Sequence, residues 1–395
     1  MPTIAYLSDA KLFFKTPDAP AAKLVQSTFA QEMIDRANRD RQRNEWKSSS
    51  AGWMSSSRGP LLLAGMNAQQ EDARKILITG LSRGCAPHEL LYALETESVG
   101  GLFVYDANAG EERRLFHRQQ FRARDLARHP SEDLIALSNR YDDGTANIAL
   151  MPPNGKGLRD VTEGDSVDEA PAWVPGAART IVFQSAGIGR NQAGHTIALG
   201  PYAIQRLDLE RDEFTTLLED EHTDFLIPRL AADGTLYFIQ RPWQPHGHES
   251  PSPLKFAMDA LLFPVRLASA IVGFLNFFSV MFSNQPLITA GGPKREGPST
   301  RYLQFWGKWI DAEKQLKKAE RKGPEASLVP DSWKLIRRRP NGDEDVLASG
   351  AVCFDLAPDG SLVYTNGRAV YHLDAAGNRT TLCTDKMIER LIVAG

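Results

Sequence analysis

The chain has 395 residues, 42% hydrophobic and 24% charged, an ordinary globular composition with ample material for a core. Its 46 basic and 49 acidic residues leave a net charge of −3, which argues against a whole-protein electrostatic footprint for nucleic acid. Cys85, Cys353 and Cys383 are far apart and lack CxxC spacing. Neither a disulfide framework nor a cysteine zinc site is suggested, and a reducing compartment fits.

The opening MPTIAYLSDAKLFF lacks a basic region followed by a long apolar stretch, so no secretory signal is visible and a cytoplasmic setting is expected. Residues 5–14, AYLSDAKLFF, alternate like two strands around a turn. STFAQEMIDRANRDRQRNEWK (27–47) follows, with a T-x-x-Q capping box from Thr28 to Gln31. Its Arg36, Arg39, Arg41, Arg43 and Lys47 are offset by Glu32, Asp35, Asp40 and Glu45, the pattern of a solvated surface helix. SSSAGWMSSSRGP (48–60) is loop chemistry, so residues 27–66 are read as a helix-plus-loop insertion.

From Ile76 onward one pattern recurs: an apolar segment, a Pro/Asp/Gly turn, then alternating apolar residues. CAPHELLYAL (85–94), ARHPSEDLIAL (127–137), WVPGAARTIVF (173–183), LAADGTLYFI (230–239) and LAPDGSLVYT (356–365) carry it. Two further strands follow a turn, as in GLFVYDANAGEERRLFH (101–117), NIALMPPNGKGLRDVT (147–162), YAIQRLDLERDEFTTLLE (202–219) and AVYHLDAAGNRTTLC (369–383). The Asp, Asn and Gly in these turns tolerate positive φ. The unit is therefore four antiparallel strands.

With Pro87, Pro130, Pro175, Ala232 and Pro358 as anchors, the intervals are 43, 45, 57 and 126 residues. The first two match the roughly 40–45 residues of a propeller blade. The expected fold is all-β, a six-bladed β-propeller forming one domain over residues 1–395. Its blades are centred on Pro2–Gln26, Ile76–Phe116, Ala123–Val161, Ala170–Leu218, Phe225–Leu347 and Ala351–Cys383. The terminal RLIVAG (390–395) supplies the first strand of the blade that the N-terminus begins, which removes two sheet edges. Seven blades remain open if residues 48–66 hold strands. Trp173, just before its turn, is expected to be buried between blades.

TEGDSVDEAPAWVPGAARTIVFQS (162–185) resembles the TolB-type β-propeller repeat, with its P-x-W-S-P-D-G-x-x-I-x-F-x-S signature. Pro171, Trp173, Pro175, Gly176, Ile181, Phe183 and Ser185 match, Val174 stands where Ser is usual, and LAPDGSLVY (356–364) matches the P-D-G turn. The resemblance spans about two-thirds of the chain as repeats. It implies architecture and carries no catalytic residues.

Residues 241–331 depart from the repeat, and an apolar and basic helical insertion within the fifth blade is expected there. LKFAMDALLFPVRLASAIVGFLNFFSVMFS (254–283) is the most apolar run, yet only 17 residues between Arg266 and Asn284 lack charge. A helix of that length falls short of a hydrocarbon core of about 30 Å. Asp259, Arg266, Ser269, Gly273, Asn276 and Ser283 recur at helical steps, leaving a wide apolar face. That face carries Leu267, Ile271, Phe274, Phe278 and Met281. Positions 294–322 hold nine basic and four acidic residues, with Trp306 and Trp309 among them. These seven apolar and aromatic residues are the candidate contacts for a protein partner or an anionic membrane surface.

Catalytic motifs are lacking: the sequence has no GxSxG, Walker A, strand-linked GxGxxG or HExxH. His246 and His248 have no third metal ligand nearby, DEHTD (220–224) lacks calcium-loop spacing, and AGIGR (186–190) is not followed by a helix pattern. No cofactor or metal is called for, and no nucleic acid is expected. The leading expectation is a non-catalytic scaffold that binds a partner through the apolar insertion. A hydrolase or lactonase-like enzyme working in the funnel is the alternative.

Overall fold

The computed structural model describes residues 1–33, 35, 36, 39, 76–96, 99–177, 179–191, 194, 196–244, 302–305, 308–311, 323, 326–357 and 359–394. In chain order the strands are β1 (Ile4–Ser8), β2 (Lys11–Lys15), β3 (Lys23–Leu24), β4 (Leu77–Arg83), β5 (Glu89–Glu95), β6 (Val99–Asp106) and β7 (Glu111–Gln119). Next come β8 (Ala123–Arg128), β9 (Ile135–Arg140), β10 (Ala146–Met151), β11 (Arg159–Asp160), β12 (Ser166–Trp173), β13 (Thr180–Arg190), β14 (Thr196–Leu199), β15 (Ala203–Asp208) and β16 (Glu213–Leu218). The last third holds β17 (Thr223–Leu230), β18 (Leu236–Pro242), β19 (Tyr302–Phe305), β20 (Lys308–Asp311), β21 (Lys334–Arg338) and β22 (Glu344–Ser349). It ends with β23 (Cys353–Leu356), β24 (Leu362–Thr365), β25 (Ala369–Leu373), β26 (Arg379–Thr384) and β27 (Ile388–Val393).

Among the described residues these strands form six four-stranded antiparallel units: β27-β1-β2-β3, β4 to β7, β8 to β11, β12-β13-β15-β16, β17-β18-β21-β22 and β23 to β26. The third and fourth units join through one parallel bridge, Ala146 to Val167, and β14 pairs with β13. The inner strands touch in the order β27, β4, β8, β12, β17, β23 and back to β27, so the ring is closed. The fold is a β-propeller.

Closure follows from the register of the two ends. Ile4 pairs with Val393, Ala5 with Ile392, Tyr6 with Leu391 and Leu7 with Arg390. Ala394 N–H adds a bond to the Thr3 carbonyl. Each sheet is covered on both sides by its neighbours, which is why β5, ELLYALE, reads as a continuous apolar run and is buried at its centre. Leu91, Leu102, Phe121, Ile135 and Leu137 form one such inter-unit core. Outer strands see water on one side, and β7 and β16 are correspondingly polar and exposed.

Three sequence expectations need correction. Trp173 is half-buried rather than enclosed. Its indole N–H donates to the Ala127 carbonyl at 2.9 Å and its ring meets His129 edge-on at 4.6 Å, so it links two units from the rim. The helix start is capped by Ser27, whose Oγ accepts the Ala30 N–H at 3.1 Å; Thr28 instead donates its hydroxyl to Glu112. Residues 28–33 are helical. Within the expected helical insertion, β19 and β20 pair antiparallel, Tyr302 with Asp311 and Phe305 with Lys308. Aromatic and aliphatic residues in YLQF and KWID favour a pleated ladder over a helix. Residues 254–283 and most of 27–66 lie outside the described residues.

Candidate functional site

The connections alternate by face. The first-to-second strand turns, those of the Pro/Asp/Gly repeat, ring one mouth of the central channel. The second-to-third connections ring the other, where residues 243–333 leave β18 and return at β21. That departure is anchored by Arg241 and Trp333, 2% and 1% exposed. Arg241 Nε pairs with Asp224 Oδ2 at 2.7 Å, and its guanidinium lies 4.5 Å from the Trp333 ring centre. Asp224, the last residue of the DEHTD stretch, is thus a buried counter-ion.

The inner strands reach the channel through a repeated device. Their ladders shift register at Ile78/Gly80, Arg124/Ala127, Glu169/Ala172 and Leu226/Arg229. At three of these bulges Asp125, Ala170 and Ile227 have φ of 48°, 54° and 53°, a left-handed conformation that is costly for a β-branched residue. Pro171 and Pro228 follow two of them, where a residue without an N–H belongs in a strand. Side chains of the preceding unit hold the bulges: Ser138 Oγ donates to the Asp168 carbonyl at 2.7 Å, and Ile227 N–H donates to Gln184 Oε1 at 2.8 Å.

Charged groups carried on these strands cross the channel. Asp355 (β23) takes Arg83 Nη2 (β4) at 3.3 Å, Arg229 Nε (β17) at 3.3 Å and the Val393 N–H (β27) at 3.0 Å. Asp125 (β8) takes Arg390 Nε (β27) at 3.1 Å. Glu169 (β12), 3% exposed, pairs with Arg140 and accepts the Tyr202 hydroxyl at 3.0 Å. Burial pushes the Glu169 carboxyl up, but the charge and hydrogen bond of Arg140 outweigh it and hold the group below the usual range. Burial raises Asp168 despite its bond from Ser185, and raises Glu389, which also feels Asp9. Cys353 is buried, and burial pushes its thiol up. Among the described residues no three His, Cys, Asp or Glu side chains are grouped to hold a metal ion, and no helix is long and apolar enough to cross a membrane.

Of the seven contact residues expected from sequence, only Trp309 lies among the described residues. Leu267, Ile271, Phe274, Phe278, Met281 and Trp306 lie outside the described residues, as do His246 and His248; Trp309 occupies a position in β20. The channel charges were missed. Their signal is an acid or arginine inside an otherwise apolar first strand, as in SVDEAPAW, ARDLAR, CFDL and IERLIV.

A closed ring of four-stranded antiparallel units with ion pairs crossing its centre defines a β-propeller. The fold is TolB-like. A TolB crystal structure from Acinetobacter baumannii superposes with TM-score 0.50 at 11% identity, over 100% of this chain and 66% of that one. The chain therefore spans about two-thirds of that protein's length. A putative TolB from Agrobacterium tumefaciens gives 0.43 at 15% identity over 80% and 83% of the two chains, and a nidogen/laminin complex gives 0.49 at 10% over 100% and 99%. No family model matches the sequence, and no curated protein does.

Proposed function

We propose that this chain is a non-catalytic scaffold that binds a protein partner through the insertion between β18 and β21. The observation that carries the reading is the use of the channel carboxylates. Asp355, Asp125 and Glu169 are each tied to arginines of other strands, so they brace the ring rather than converge on a reacting centre. The insertion leaves from the clamp of Arg241 and Trp333, and its sequence supplies an apolar face (Leu267, Ile271, Phe274, Phe278, Met281) with Trp306 and Trp309 and a basic surplus beside it. An apolar face of that width needs a cover. The setting we infer is a reducing cytoplasm, with reversible attachment to an anionic membrane as the other use of the same face.

Deleting residues 254–322 tests this. Gln240 and Lys334 already pair directly, so the propeller should keep its thermal midpoint, while a defined partner captured by the intact chain from its native cell should be lost. Unchanged capture by the deleted form would sink the reading. Co-sedimentation with anionic vesicles and no protein partner would move the contact to the membrane. The enzyme reading draws on one feature, the raised carboxyls of Glu389 on β27 and Asp168 on β12, since carboxyls held above their ordinary range are general-acid candidates. Turnover of an ester or lactone panel that Glu389→Gln abolishes would establish it.

A further inference from the structure

The mouth ringed by the repeated turns opens into a cavity of about 1020 Å³, at the upper end of small-molecule pockets. It lies on the face opposite the insertion, so its argument is independent of the partner contact. Leu126, Trp173 and Tyr237 are among its apolar and aromatic walls. The Trp173 ring is fixed by its bond to Ala127. At the rim, charges cancel: Arg128 pairs with Asp133 at 2.6 Å and Arg179 with Glu132 at 2.9 Å.

Where the inner strands meet, the balance is different. Arg83 and Arg229, from the second and fifth units, converge on the single carboxylate of Asp355, leaving one positive charge in excess. Both contacts measure 3.3 Å, longer than the roughly 2.7–2.9 Å of a well-formed charge-assisted bond. The same carboxylate also serves the Val393 N–H. Arg83 gives Nη2 to the Leu356 carbonyl at 2.6 Å, and Arg229 gives Nη1 to the Pro228 carbonyl at 3.0 Å. A guanidinium has five N–H donors in a planar fork. Among the described residues, Nε and Nη1 of Arg83 and Nη2 of Arg229 keep donors for a further acceptor.

We propose that this cavity binds a small organic carboxylate, its anionic group bridging Arg83 and Arg229 and its apolar body against Trp173 and Tyr237. The anion offsets the mutual repulsion of the two cations, and a planar carboxylate matches the guanidinium fork. Bare anions lack a body for the aromatic wall, and neutral analogues leave the excess charge unmet.

Calorimetric titration of the full chain with phenylacetate, phenylacetamide and inorganic phosphate tests this. Phenylacetate should bind saturably, with phenylacetamide and phosphate each weaker by about tenfold or more. Arg229→Gln and Arg83→Gln should each weaken phenylacetate by about tenfold while leaving the circular dichroism spectrum unchanged. Should either glutamine variant fail to fold, Arg83→Lys keeps the charge without the fork and should still weaken binding severalfold. Absence of saturable heat with phenylacetate, equal binding of the amide, or equal binding of phosphate would each overturn the proposal.

Discussion

Trp333 and Trp173 show how differently two tryptophans of one repeat protein are used. Trp333 is enclosed and carries a buried arginine on its ring, so truncation opens a cavity beneath a charge. Trp333→Ala should cost about 3–5 kcal/mol in urea denaturation. Trp173 gives up one hydrogen bond and partial burial at the rim, and Trp173→Ala should cost only about 1–2 kcal/mol. Equal costs would contradict this division. The sequence favoured the wrong one of the two, because the repeat signature marks Trp173 while the partner of Trp333, Arg241, lies 92 residues away in the chain.

Among the elements, the helical segment at residues 28–33 is held by one carboxylate on β7. Glu112 accepts Ser27 Oγ at 2.7 Å, Thr28 Oγ1 at 2.5 Å, the Phe29 N–H at 3.0 Å and the Tyr92 hydroxyl. Phe29 packs against Phe103 with ring centres 5.0 Å apart and planes tilted by 40°. Burial raises the Glu112 carboxyl, but these hydrogen bonds together outweigh it, so the group lies below its ordinary value of 4.5. A depressed folded pKa contributes stability that is full above the unfolded value and is lost as pH falls through the folded one. Docking of the segment should therefore weaken below the ordinary glutamate range. Hydrogen-exchange protection at residues 27–33, corrected for intrinsic rates, should fall on acidification, and Glu112→Gln should lower it already at neutral pH. Protection that ignores both changes would show that the Phe29 contact alone holds the segment.

For the whole molecule, closure is the property with the largest leverage. β27 gives β1 its partner, and it also supplies Arg390 to Asp125 and the Val393 N–H to Asp355. Deleting residues 388–395 exposes two sheet edges and strips two buried carboxylates of donors. The thermal midpoint should fall by more than about 10 °C, or the protein should aggregate through the open edges. A midpoint within a few degrees of the full chain would mean that the ring does not depend on its clasp.

The architecture was readable because it is periodic. Turn chemistry, alternation and blade-length spacing are local, and each copy of the repeat corroborates the others, so Pro87, Pro130, Pro175, Ala232 and Pro358 located five turns without any long-range information. Even closure was legible, since a lone terminal strand and an incomplete first unit complete each other. What tertiary structure alone decided is which charges meet. Asp355 is 272 residues from Arg83 and 126 from Arg229; no pattern along the chain joins them. They come together because the six inner strands, four of them kinked by the bulges described above, point their few polar residues at one axis. A buried carboxylate there is tolerable only beside a cation.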